Sequence, residues 1–129
     1  MPSVSKASTT PIDQGGAVSE WRAELGGYTT SFVELSAEAD LTELLKGLPG
    51  DECPSPHWGY VFKGRLWFRA SDREESFGPG EAFYVEPGHT SGVDAGTEFV
   101  VFSPSEVMAE VESHMMRRAQ EGASLAGSS

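Results

Sequence analysis

The sequence predicts an all-β sandwich or barrel, with one short helix before its central stretch and a second helix near its end. Three observations carry that expectation. Residues 53–89 are rich in Trp, Tyr, Phe and Val, the residue types that pack well on a pleated surface. Gly and Pro interrupt this stretch at strand spacing, which cuts it into short segments joined by turns. Within residues 57–63 the side chains alternate between two faces: His57, Gly59 and Val61 on one, Trp58, Tyr60 and Phe62 on the other. About seven or eight such strands in a meander favour a closed or double-layered sheet.

Each element has its own warrant. Residues 1–16 are mostly Ser, Thr, Pro and Gly with few apolar side chains. They bury too little surface to offset their ordering entropy and are expected to form a disordered arm. Trp21 and Leu25 bracket the first ordered segment, Gly26 and Gly27 turn it, and the β-branched and aromatic run 28–35 returns as its hairpin partner. Residues 36–50 read as the helical interruption, with Asp40 as cap, Glu43 completing a capping box, and Leu41, Leu44, Leu45 and Leu48 on one face. Two strands around Lys63 and Gly64 follow, with Trp67 and Phe68 in the second. Ser71 and Asp72 form a turn, residues 74–77 a short strand, and Gly78, Pro79 and Gly80 turn the chain into a strand over 82–85. Residues 89–96 are expected as a loop and 98–102 as the last strand. Ser103 is placed to cap a closing helix with Pro104 at its first position. Val107, Met108, Val111 and Met115 form its apolar stripe, and His114 falls off that stripe, toward solvent. One domain over 17–120, with a flexible tail over 121–129, accounts for the 129 residues.

Composition excludes several functions. Twenty acidic residues against nine basic ones give a formal net charge of −11, and phosphate binding needs clustered Lys and Arg, so nucleic acid and anionic membranes are not expected partners. No apolar stretch approaches membrane-spanning length. The opening residues carry no signal-peptide apolar run, and a single cysteine forms no internal disulfide. Both point to a reducing cytoplasm. There is no Gly-x-Ser-x-Gly elbow and no phosphate loop. A Cys53–His57 nucleophile pair lacks any sequence-local orienting base or oxyanion donor.

Residues 50–103 resemble the cupin superfamily, small jelly-roll barrels with two sequence motifs. In the second motif a Gly is followed five residues on by Pro-x-Gly and then His. Gly80, Pro87 and Gly88 keep that frame, with Glu86 in place of the first Pro. His89 follows Gly88 directly, and the usual His position is Ser91. If Gly64 closes the first motif, His57 stands where the family has Glu, Cys53 where it has the second His, and Asp51 near the first. The resemblance implies a cupin-type jelly roll with a ligand set altered from the family pattern.

Cys53 and His57 flank Pro54, Ser55 and Pro56, whose two prolines exclude helix and place the pair on the extended approach to a strand. A thiolate and an imidazole are both zinc ligands, and imidazole also suits iron, nickel or copper. The candidate metal ligands are Cys53, His57 and His89, with Asp51, Glu81 and Tyr84 as possible additions around the barrel mouth. The function this implies is a small single-domain cupin that binds a divalent metal and acts on a small organic molecule, as a dioxygenase, isomerase or decarboxylase. The alternatives are a metal-free cupin binding a small ligand as a sensor or accessory module, and a structural module without chemistry. The exposed row Trp58, Tyr60 and Phe62 requires a cover, from the arm, the closing helix or a second subunit, and a homodimer is the expected assembly.

Overall fold

The computed structural model describes residues 1–13, 17–70 and 72–127. Residues 14–16 of the expected arm, Ser71 of the expected turn, and residues 128 and 129 of the expected tail lie outside them. The strands are β1 (Ile12–Asp13), β2 (Val18–Leu25), β3 (Tyr28–Leu35), β4 (Ala39–Asp40), β5 (His57–Lys63), β6 (Leu66–Ala70), β7 (Arg73–Phe77), β8 (Ala82–Val85), β9 (Thr90–Val93) and β10 (Glu98–Pro104). Two helices join them, α1 (Thr42–Leu45) and α2 (Ser105–Gly127). All pairings are antiparallel, in a six-stranded sheet of order β1-β2-β3-β10-β5-β8 and a four-stranded sheet of order β4-β9-β6-β7. This is a jelly-roll sandwich.

The β2–β3 hairpin forms as its Gly-Gly turn dictates. Gly26 and Gly27 have φ of 59° and 84°, the two successive left-handed residues that match the twist of the flanking strands. The register then sets the faces. His57, Gly59 and Val61 point inward, where they meet Val85 and Phe83 from β8, and Trp58 and Tyr60 stand opposite Tyr84 and Ala82 on the outer face. Between the sheets Val61, Leu66 and Phe83 form a buried cluster, with Phe68, Phe77, Val85 and Phe99 packed around it. A second cluster at one end joins Leu45, Cys53 and Val111, flanked by Leu41, Leu48, Val107 and Met115. The stripe on α2 therefore packs as its spacing implies, through Val107, Val111 and Met115, and Met108 is half-buried.

Four sequence expectations are corrected. The helix over 36–50 shrinks to the four residues of α1. Asp40 belongs to β4, and its carboxylate accepts from the Thr42 amide at 2.9 Å, so it turns the chain two residues on and does not cap a long helix. The loop over 89–96 contains β9, which Gly92 makes possible: a Cβ there would lie 2.0 Å from Cζ2 of Trp67 on the paired strand. Ser103 and Pro104 do not open the closing helix, because β10 runs through both and α2 begins at Ser105. His114 is half-buried, and its Nε2 donates to the Lys46 carbonyl at 2.6 Å, which fastens α2 to the end of α1.

At the other end of the chain, Ser5 caps a single 3-10 turn over Lys6–Ser8. The Lys6 ammonium sits 5.1 Å from the Trp21 ring centre and pairs with Glu34 and Glu98. The first residues thus lie on the Trp21 side of the six-stranded sheet, and β1 pairs with β2 at its edge.

Candidate metal centre

Three segments converge at one end of the sandwich. The first is the extended stretch before β5, where Cys53 lies in a two-bond bridge: its amide donates to the His89 carbonyl at 2.8 Å, and its carbonyl accepts from the Gly88 amide at 2.8 Å. That bridge locks the Cys53 segment against the Pro87–Gly88 turn and so fixes the Cys53–His89 approach through the backbone. The second is the start of β5, where His57 points inward. The third is the end of β10, which brings Ser103 beneath the His57 ring.

The side chains follow. Sγ of Cys53 is 3.6 Å from Nε2 of His57, and the His57 and His89 ring centres are 5.0 Å apart. One donor atom from each of Cys53, His57 and His89 lies within 4.8 Å of the others, and all three residues are buried. Tetrahedral zinc with one sulfur and two nitrogen ligands separates sulfur from nitrogen by about 3.5 Å, so the Cys53–His57 spacing already matches. Phe68 closes the site with its ring edge-on to His89 at 5.3 Å.

Each imidazole is held from behind. Nδ1 of His89 is 2.7 Å from the Glu86 carbonyl, which only accepts, so Nδ1 carries the proton and Nε2 keeps a bare lone pair. Nδ1 of His57 is 2.7 Å from the Ser103 hydroxyl, leaving Nε2 facing the sulfur. Bound histidines in metalloproteins are oriented in this way by a partner on the second nitrogen. The chemistry of this donor set therefore fits a metal ion.

The electrostatics describe the same site without a cation. Burial, and then the neighbouring His89, push the His57 imidazole down to about 3. Burial also lowers His89, against the Glu86 carbonyl and the charge of Glu52, and it raises the Cys53 thiol. All three groups are neutral at pH 7.

The other expected contributors are elsewhere. Asp51 is exposed and its Oδ1 accepts from the Gly47 amide at 3.0 Å; its neighbour Glu52 is the carboxylate whose charge reaches His89. Glu81 is exposed before β8 and accepts from the Gly78 amide at 2.8 Å, at the opposite end of that strand from Val85, the partner of His57. Tyr84 points outward, its ring centre 5.0 Å from that of Trp58 and tilted by 36°, and also lines the cleft at the mouth. That cleft, of about 230 Å³, opens beside His89 and is lined by Phe68, Arg73, Glu75, Tyr84 and Glu86 among others. Ser103 was missed because Ser-Pro reads as a helix start. The alternation of β10, carried two residues further, would have placed it on the inward face with Phe99 and Val101.

No protein-family model and no curated protein sequence matches the chain. Solved structures do. A protein of unknown function from Rhizobium leguminosarum superposes with a TM-score of 0.58 at 20% identity, over 80% of this chain and 95% of that one. The polyketide cyclase RemF from Streptomyces resistomycificus gives 0.56 at 19% identity, over 81% and 79%. An RmlC-like cupin from Shewanella frigidimarina gives 0.54 at 16% identity, over 78% and 88%. With the two antiparallel sheets and their strand order, these likenesses establish that this chain has the cupin fold.

Proposed function

We propose that the chain is a small metal-dependent cupin in which Cys53, His57 and His89 hold a divalent ion and the adjoining cleft takes a small organic molecule. The observation that carries this reading is the convergence of a buried sulfur and two buried imidazoles, each ring oriented by a fixed partner on its other nitrogen. One thiolate and two imidazoles suit zinc or copper better than a hard ion. Such an ion with an open position supplies Lewis acidity toward an oxygen-bearing substrate. Around it, Ser103 and the Glu86 carbonyl orient the rings, Phe68 excludes water, and the Cys53 thiol releases its proton on binding. The cleft beside His89 is the access route, and its size restricts the ligand to a small molecule. Dioxygenation, isomerisation and decarboxylation all remain compatible with these residues. RemF, a polyketide cyclase, shows that one protein of similar fold transforms an organic substrate.

A second reading, a metal-free cupin that binds a small ligand, has one observation in its favour: without a metal the three groups form an uncharged, mutually compatible cluster. Elemental analysis of protein purified without added metal separates the two. The metal reading expects close to one equivalent of zinc or copper, lost in His57→Ala. Protein that carries none, and takes up none on dialysis against zinc, favours the metal-free module. Uptake undiminished in His57→Ala places the ion elsewhere.

A further inference from the structure

We infer that the cleft beside His89 selects a small molecule bearing a positively charged amine, and that Glu75 is the residue that receives it. This rests on the reading of the cleft as a ligand site, and holds for the metal-dependent and the metal-free cupin alike. The cleft lies between two sheet edges, since β7 ends the four-stranded sheet and β8 ends the six-stranded one. The register of β7 decides what that edge presents. Phe77, Glu75 and Arg73 stand opposite Leu66, Phe68 and Ala70 of β6, and Leu66, Phe68 and Phe77 all belong to the cluster between the sheets. Alternation therefore turns Glu75 and Arg73 inward too, and sends Glu74 and Ser76 outward. Phe77 lies parallel to Phe83 at 5.2 Å within the core. Glu75 comes next along the strand, opposite Phe68, whose ring closes on His89.

The neighbouring arginines are committed elsewhere. Arg69 pairs with Glu74 on the outer face, and Arg73 reaches across the opening to Glu86 at 3.6 Å. Among the described residues Glu75 has neither an ion pair nor a hydrogen bond. Arg73 and Glu86 offset each other, which leaves the lining with the formal negative charge of Glu75 alone. An anionic ligand would meet two carboxylates and a single, already paired guanidinium. An ammonium meets an unpaired carboxylate instead, together with the rings of Phe68 and Tyr84 that line the same cleft and whose faces attract cations. The net charge of −11 acts in the same direction, because a concave site concentrates counter-ions of the opposite sign.

Three probes of similar size and different charge test this: benzylamine, benzyl alcohol and benzoate, each titrated into the full chain by NMR, in EDTA and again with zinc. The EDTA series separates Glu75 from any ion, since zinc itself binds amines and carboxylates. Benzylamine is expected to bind about 10-fold more tightly than benzyl alcohol in EDTA, with benzoate weakest. Glu75→Gln should abolish that preference. Glu74→Gln makes the same change in charge on the outward face of the same strand and should keep it. Equal binding of amine and alcohol, or a preference that survives Glu75→Gln, overturns the proposal and leaves the cleft as a ligand site. Benzoate binding tightest in EDTA, and lost in Arg73→Ala, overturns it as well and makes the ligand an anion. If none of the three binds saturably, the proposal falls together with the reading of the cleft. Zinc uptake by the same samples reports on the metal reading separately.

Discussion

Metal-free protein is expected to lose roughly 2 kcal/mol of stability between pH 6.5 and pH 5 through His57 alone. His57 is pushed down to about 3 in the fold, chiefly by burial, from an ordinary value of 6.5. Above pH 6.5 the ring is neutral in both folded and unfolded chains, and its contribution is fully present. Below that, the unfolded chain takes up a proton that the folded one refuses. Stability then falls by ~1.4 kcal/mol per pH unit until the folded value is reached. His89 is lowered by burial as well and adds to the loss in the same direction. Asp40 and Glu98 are both held below the ordinary carboxylate range, Asp40 by its Thr42 hydrogen bonds and Glu98 by Lys63. Their contributions disappear only at lower pH, so the interval from 6.5 to 5 isolates the histidines. Urea unfolding in EDTA measures the effect: the midpoint should fall steadily across that interval, and fall less steeply in His57→Gln, where only the His89 contribution remains. A midpoint independent of pH between 6.5 and 5 would mean that the ring is not buried and neutral.

The second large effect comes from α2. Removing everything after Pro104 takes Val111, which is 1% exposed, away from Leu45 and Cys53, together with Val107 and Met115 around it. It also breaks the Arg22–Glu112 pair, the His114 bond to the Lys46 carbonyl, and the Arg118 bonds to the Glu43 carbonyl. At 1.5–3 kcal/mol per buried aliphatic side chain, the loss is about 5 kcal/mol, which matches the lower end of the stability range of native domains. The truncated chain is expected to show no cooperative melt at 25 °C and above. The milder Val111→Ala should fold, lose about 2 kcal/mol, and bind metal more weakly, because Val111 backs the sulfur ligand. A truncated protein that melts at the wild-type temperature would show that the helix does not dock.

Much of this molecule was legible in its sequence because alternation and turns are local. The period of two over residues 57–63 set His57 inward and Trp58, Tyr60 and Phe62 outward, and the structure has them so. Gly26 and Gly27 marked their hairpin for the same reason. Errors arose where tertiary contact overrides local preference. Asp40 satisfies a capping pattern, yet β4 pairs with β9 and claims it for a strand. Gly92 reads as loop, and only the approach of Trp67 explains why a strand needs a glycine there. Ser-Pro reads as a helix start, yet Ser103 belongs to β10 and to the site, because β3 and β5 flank that strand. For the site, sequence supplied Cys53, His57 and His89. It did not supply the partners that orient them, since a backbone carbonyl such as that of Glu86 has no sequence signature. It also named Asp51, which is exposed in a left-handed turn with φ of 57°, and not Glu52, whose charge reaches His89.

The central claim is that one ion sits among one sulfur and two imidazoles. X-ray absorption at the metal edge of the zinc-loaded protein tests it most directly. The expected spectrum has one sulfur at about 2.3 Å and two nitrogens at about 2.0–2.1 Å, with a further light atom completing the shell. The sulfur shell should vanish in Cys53→Ser, and bound zinc should be lost in His57→Ala. A shell of oxygen and nitrogen alone in the wild type, or a sulfur shell that persists in Cys53→Ser, would contradict the site.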